Sequence, residues 1–571
     1  MAGRPDALAV DEKAVSAPDR NAAILYAEDA YNPAKKGING RRVAGEGFLR
    51  GFLRHADVGE FLVMPRETRD MQTVAELAAA LRPGVPVRRV SPLRPLEMAP
   101  AGTLHHPSPN YAREAWRRAP FGSAAWSVCG VTHTTSTEAV LAGFFDLRVA
   151  PVADWDAVIC TSEAVRRSVV AQLDLIDDYL ERRFGAAPPP RFQTPVIPLG
   201  IHCEDFRRDP GARKALRARI GAGPQDVVCV TLARLTPVAK FDPLPVFIAM
   251  EAAQRRLGAG HRLHLVHCGI HADRYAERVF AEGAARLMPS VAHHVLDGAK
   301  PEERRATLSG GDIFLFLIDN IQETFGLAPV EAMAAGLPLI VSDWDGMKDT
   351  VSPDVGIRVP TRGLTAAHTA PEAFRYMTGF DNNVHFCASV SALTEIDMGG
   401  MIAAIVTLAR DGGLRRKLGA AGRRRADELY DWAKIVPRIQ DLWAELAARR
   451  RRGAGRQTRE APGRVPVIPS PMLIYAGYPT EAGGHGATRF APDPEAPAGG
   501  PALALKLRNY GATGRIFADE RTIRAVFGAV AGAGAAGMTA PEAAAAARTS
   551  PDMADRALIW LMKYGFLRRL G

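Results

Sequence analysis

Short runs of uninterrupted apolar residues, separated by helix-length segments, limit what this chain can fold into. Ala22 to Ala27, Glu60 to Met64, Ala125 to Val131, Ala157 to Cys160 and Val196 to Leu199 form a first set. Strands that lack polar alternation are buried on both faces, which is the situation of a parallel sheet covered by helices. The first run is followed by a loop containing Gly37 and Gly40 and then by helical spacing from Arg41 to His55, the opening of a βαβ unit.

The pattern restarts at Val227 to Leu232 and continues through His261 to His267, Asp312 to Leu317 and Pro338 to Val341. Helical spacing fills the gaps at Pro245 to Leu257, Ala272 to Leu287 and Val330 to Ala335. A chain of 571 residues exceeds what one core can fill, so two Rossmann-like α/β domains are expected, at 21–205 and 206–448, the second closing with a helix at Pro437 to Ala448. Residues 449–515, rich in Arg, Gly and Pro, are expected to form a linker with a short strand at Met472 to Tyr475. Residues 516–571 regain helical spacing, with Thr539 and Glu542 placed as a capping box, and their three short helices resemble a winged-helix module.

Lys and Arg exceed Asp and Glu by 10, a balance that raises nucleic acid, anionic membrane and phosphorylated small molecules as partners. Arginines 449, 450, 451, 452, 456 and 459 supply six of those ten charges. From 517 to 571 seven cations face five acids, too weak a basic face for DNA recognition. Nucleic acid therefore ranks last, the tail is expected to dock a protein, and the arginine cluster to touch anionic headgroups as a flexible tether. Six cysteines without a C-x-x-C pair, a charged N-terminus without a signal-peptide core and no spanning apolar run point to the cytoplasm, with at most peripheral contact at the membrane's inner face.

Two segments carry chemistry. In Asn320 to Pro338 (NIQETFGLAPVEAMAAGLP), a strand, a loop and a helix start place the backbone N–H groups of Phe325, Gly326 and Leu327 at a helix N-terminus, which favours an anion. Glu323 stands before that helix to accept sugar hydroxyls, and Glu331 lies about one turn inside it. Upstream, Arg234 and Lys240 in ARLTPVAK follow the strand Val227 to Leu232, where two cations can clamp a diphosphate. The paired histidines 105/106 and 293/294 diverge on any secondary structure and lack a completing ligand, so no metal site is expected.

The spacing of Glu323 and Glu331, with FGL and EAMAAGLP around them, resembles the glutamate-x7-glutamate element of the retaining GT-B glycosyltransferases of family 4. Arg234 and Lys240 look like that family's arginine-leucine-lysine element, although Phe241-Asp242 follows Lys240 in place of glycine. The stretch ending in Val131-Thr132-His133 resembles the family's strand leading to an active-site histidine, and Gly37 to Gly40 its first glycine-rich loop. The resemblance, from about Ile24 to Leu446, implies two domains facing a cleft. It implies transfer of a hexose from a nucleotide-sugar co-substrate to an acceptor hydroxyl with retention, without cofactor or metal. Glu323, His133, Lys240 and Arg234 would then act in catalysis, and Glu331, Phe325, Gly326, Leu327, Gly37 and Gly40 in donor or acceptor binding. The acceptor is left open. The competing expectation is an inactive transferase-like scaffold that uses its C-terminal module to bind a partner. Thr361 to Asp397 reads as an insertion that reaches over the cleft.

Overall fold

The computed structural model describes residues 20–32, 40–507 and 518–570. Residues 1–465 form one compact unit and 466–571 another. Within the first unit the chain builds two six-stranded sheets, each entirely parallel.

The first sheet contains β1 (Ala23–Tyr26), β2 (Phe61–Pro65), β3 (Val87–Arg89), β4 (Thr103–His105), β5 (Ser127–Val131) and β6 (Ala157–Ile159), in the order β3-β2-β1-β4-β5-β6. The second contains β7 (Val227–Leu232), β8 (Leu263–Gly269), β9 (Ala292–Asp297), β10 (Ile313–Phe316), β11 (Leu339–Ser342) and β12 (Gly356–Val359), in the order β12-β11-β10-β7-β8-β9. Both are doubly wound Rossmann-like sheets. In each the strand order reverses at one pair, β1 with β4 and β7 with β10, and such a switch point opens a crevice at the strands' carboxyl ends.

Several expected strands end within a residue or two of their observed limits, because continuous burial is what their apolar runs encode. The run Val196 to Leu199 forms no strand of the sheet. It makes one parallel bridge, Cys160 with Val196, and then crosses into the second body. Strands β3, β4, β9 and β12 carry polar residues or are very short, and apolar continuity gave no sign of them.

The helix expected to close the second core does not belong to it. It runs from Trp432 to Gly453, and its Trp432, Ile435, Ile439, Trp443 and Leu446 are buried in the first body's core with Phe48 and Phe52. Trp432 sits flush against Gly47, Gly51 and Gly200. A Cβ at these positions would come within 3.1, 2.6 and 2.5 Å of its ring. This crossover brings the chain back beside the outgoing one, where Ile201 N–H donates to the Tyr430 carbonyl at 2.8 Å and Trp432 N–H to that of Ile201 at 3.0 Å.

The arginine cluster is not a loose tether. Arg449 through Arg452 lie on this last helix, and Arg450 donates to the Gly102 carbonyl and to Ser127 Oγ (3.2 Å). Arg456 pairs with Asp154 at 3.1 Å and Arg459 donates to the Pro120 carbonyl at 2.9 Å. Carbonyls and a carboxylate of the first body attract them because guanidinium groups carry many donors.

In the second unit, helices Glu520–Gly532, Ala540–Ala546 and Pro551–Lys563 pack on an antiparallel sheet. After the hairpin of β13 (Thr361–Gly363) and β14 (Thr394–Ile396) in the first unit, that sheet comprises β15 (Arg489–Pro492), β16 (Met538–Thr539) and β17 (Leu567–Leu570). Its order is β16-β15-β17. Thr539 and Glu542 form the expected capping box. The expected linker thus supplies the central strand of this sheet, and Met472 to Tyr475 is no strand, lying at a one-turn helix, Pro471–Ile474. No helix among the described residues is long and apolar enough to cross a membrane.

Candidate active site

The loops after β7 and β10 flank the second body's switch point, and they carry the two motifs. Lys240 and Glu323 form an ion pair across that gap, with Lys240 Nζ also 5.1 Å from the centre of the Phe316 ring. The other oxygen of Glu323 accepts from Gly326 N–H at 3.0 Å. The helix Leu327–Ala334 therefore begins with a carboxylate at one of its first donors, so Gly326 N–H is already engaged.

Gly326 has φ +84°, the left-handed region where a side chain is strained, and Met347 Sδ lies 3.1 Å from where a Cβ would be. Phe325 points inward, 2% exposed, and packs edge-on against Tyr430 at 6.0 Å. Its side chain thus holds the turn, leaving only its backbone for a ligand. Arg234 follows β7 and is exposed, with no ion-pair partner among the described residues.

Glu331 stands one turn into the helix, and burial pushes its carboxyl up to about 7 against the opposing charge of Arg304. It is therefore poised between charged and neutral near neutrality.

The first body contributes His133, just beyond β5. Thr324 Oγ1 donates to the His133 carbonyl at 2.8 Å, and Thr161 Oγ1 to the Thr324 carbonyl at 3.3 Å. The acidic loop and the histidine loop thus meet directly. Burial, then the nearby Arg41 charge, pushes the His133 imidazole down to about 4, so it is neutral at pH 7. Gly40 opens the helix Gly40–His55 and is exposed, whereas Gly37 lies outside the described residues.

Composition and spacing gave little sign of Asp345. It sits at φ +42°, accepts from Ser162 Oγ at 3.3 Å and leaves Oδ2 buried without a partner. Burial, then the charge of Glu323, holds its carboxyl well above the usual range. In the sequence only its place before Gly346 sets it apart, and the neighbouring acids Asp343 and Asp349 masked that signal. Among the described residues no group of three or more His, Cys, Asp or Glu is arranged to hold a metal ion.

The insertion at 361–397 does reach the first body. Glu138 N–H donates to Tyr376 OH at 2.8 Å, Cys387 Sγ approaches Ser136 Oγ at 3.7 Å, and Ser391 Oγ bonds Asp319 in the stem of the acidic loop.

Two doubly wound bodies joined by paired crossovers, with motif loops at facing strand ends, define the GT-B type of α/β architecture. Residues 213–375 match the family described as glycosyl transferases group 1. The chain is 29% identical over 184 residues to the GDP-mannose-dependent alpha-(1-6)-phosphatidylinositol monomannoside mannosyltransferase of Mycobacterium tuberculosis (strain CDC 1551 / Oshkosh). That match covers 31% of this chain and 45% of the relative, less than half of its length. It is also 29% identical over 161 residues to the D-inositol 3-phosphate glycosyltransferase of Nocardia farcinica, covering 28% of this chain and 35% of that one. Among solved structures, HepE of Anabaena in complex with UDP aligns over 75% of this chain and 100% of its own at 14% identity, with a TM-score of 0.46. Sucrose-phosphate synthase from Thermosynechococcus elongatus aligns over 75% and 99% at 18% identity, with a TM-score of 0.44.

Proposed function

We propose that this protein transfers a hexose from a nucleotide-sugar donor to an acceptor hydroxyl with retention of configuration, without a bound metal, in the cytoplasm. The observation that carries this reading is the ion pair between Lys240 and Glu323, which joins the two motif loops at one switch point. The two relatives' printed activities, mannosyl transfer from GDP-mannose and glycosyl transfer to inositol 3-phosphate, are compatible with it.

In this reading the donor diphosphate displaces the Glu323 carboxylate from Lys240, and Arg234 binds the diphosphate alongside. Both cations then neutralise charge that grows on the leaving group, the role a metal has elsewhere. Released from Lys240, Glu323 orients the donor sugar while its link to Gly326 N–H keeps it in place. Glu331 accepts from the ribose hydroxyls. Neutral His133 donates or accepts one hydrogen bond near the sugar. The leaving phosphate takes the acceptor's proton on the face from which it departs, which preserves the anomeric configuration.

The C-terminal unit resembles a winged helix and is proposed to dock a protein, since Ile559 is exposed on its last helix. The deciding experiment incubates the full chain with a panel of nucleotide sugars and reads released nucleoside diphosphate, with and without EDTA. Turnover that survives EDTA is expected, and no turnover or binding with any donor would move the weight to an inactive scaffold.

A further inference from the structure

A pocket of about 310 Å³ opens beside the stems of the two motif loops, between the start of the helix Leu244–Leu257, the end of β10, the hairpin strand β14 and the helix Met398–Arg410. No motif discussed so far uses it. Val246, Leu317 and Met401 in its lining are buried, at 4%, 4% and 0% exposure, and Ile396 adds to its apolar wall. A volume of this size admits a small molecule rather than a single water.

The charges around it have one sign. Asp319, Asp242 and Glu395 line the pocket, and no Lys, Arg or His does. Asp319 is 8% exposed and lies among the apolar residues, so its carboxylate is taken out of water. One of its oxygens accepts from Ser391 Oγ, and the other has no partner from another residue among the described residues. A hydroxyl does not neutralise a carboxylate, and a buried charge without a countercharge is costly. Burial pushes the Asp319 carboxyl up to about 6 against the Ser391 hydrogen bond, with the charge of Asp242 adding to the rise, which still leaves it mostly ionised at pH 7. Asp242 and Glu395 are exposed at the mouth, where Asp242 Oδ1 accepts from Leu244 N–H at 2.9 Å and Glu395 stands opposite Arg362 in the hairpin without pairing with it. The three carboxylates do not converge on a point, since no group of three or more His, Cys, Asp or Glu among the described residues is arranged to hold a metal ion.

We propose that this pocket binds a small aliphatic diamine, one ammonium meeting Asp319 between the apolar walls and the other meeting Asp242 or Glu395 at the mouth. The alkyl stem covers Val246, Leu317 and Ile396, and the inner ammonium supplies the countercharge that Asp319 lacks. A metal ion would leave those walls in contact with water, and a neutral ligand would leave the Asp319 charge unanswered. The site does not depend on the glycosyl-transfer reading.

The probes are 1,4-diaminobutane, butylamine and 1,4-butanediol, titrated calorimetrically into the full chain at physiological ionic strength. The diamine is expected to bind at least about tenfold tighter than butylamine, and the diol, of the same length without charge, not to bind. Asp319→Asn keeps the shape and an acceptor for Ser391 but removes the buried charge. It is expected to weaken the diamine by about tenfold or more while the melting temperature holds or rises, because an unanswered charge has left the interior. Should Asp319→Asn fail to fold, the double substitution Asp242→Asn with Glu395→Gln removes charge only at the exposed mouth, keeps the helix cap, and is expected to bring the diamine down to the affinity of butylamine. No binding of the diamine overturns the proposal, and so does equal binding of the diol. Diamine affinity that survives Asp319→Asn in folded protein, or that an equal concentration of magnesium abolishes, overturns it as well, since either would mark a plain acidic surface.

Discussion

Glu323 is held at two points, by Lys240 on one oxygen and by Gly326 N–H on the other. A carboxylate with two partners can exchange one of them for a ligand without losing its position. Lys240→Ala removes the exchangeable partner and the leaving-group charge together. Turnover is expected to fall by about 10²-fold or more and diphosphate affinity to fall with it, the scale seen when one stabilising contact to developing charge is lost. Kinetics and product-inhibition measurements check this, and wild-type behaviour would reject the clamp. Glu331 gives a pH test. Its folded value of about 7 exceeds the ordinary 4.5, so the folded state binds the proton more tightly than the unfolded chain. Its contribution to stability is thus full below about 4.5 and is lost as pH rises through about 7. Donor binding runs the other way, because the ionised carboxylate accepts the ribose hydroxyls. Donor affinity by calorimetry is expected to rise between about pH 6 and about pH 8 and to lose that slope in Glu331→Gln.

Among the elements, the two crossovers at the hinge show how packing depends on glycine. Gly51 presents its Cα to the Trp432 ring on one side of the helix Gly40–His55. Gly51→Ala puts a methyl 2.6 Å from Trp432 Cγ, and the indole, fully buried, has little room to move. A loss of about 1–3 kcal/mol is expected, read as a lower denaturant midpoint. Beneath β5 and β6, Arg118 and Asp156 pair at 2.6 Å, fully buried, and Asp156 also accepts from Val128 N–H and Ala153 N–H. Asp156→Ala leaves a buried guanidinium without its countercharge, and a cost of about 3–5 kcal/mol is expected. The strands around these groups were legible because apolar runs of four to six residues state burial directly. Strands β4 and β9 were not, since His105, His293 and His294 interrupt the run. There the pairing comes from neighbours already in the sheet, as His293 meeting His267 at 2.9 Å illustrates.

At the scale of the molecule, the two units have separate cores, the second centred on Phe490, Trp560 and Leu561. Differential scanning calorimetry is expected to resolve two transitions, and a single transition would contradict independent folding. The first unit is tied across its cleft by Thr324 with His133 and by Tyr376 with Glu138. Both ties use backbone groups of one partner, which no residue pattern reveals. The sequence alone determined that two parallel α/β bodies would form, and it placed Arg234, Lys240, Glu323 and Glu331 on loops after strands, because apolar continuity and residue spacing are local properties of the chain. Tertiary structure alone decided that Lys240 and Glu323 form a pair, that the last helix returns to the first body and that the arginines dock on it. It also gathered Asp319, Asp242 and Glu395 around one pocket. These depend on which residues distant in the chain share a surface, and that is set by packing and by the pairing of buried polar groups.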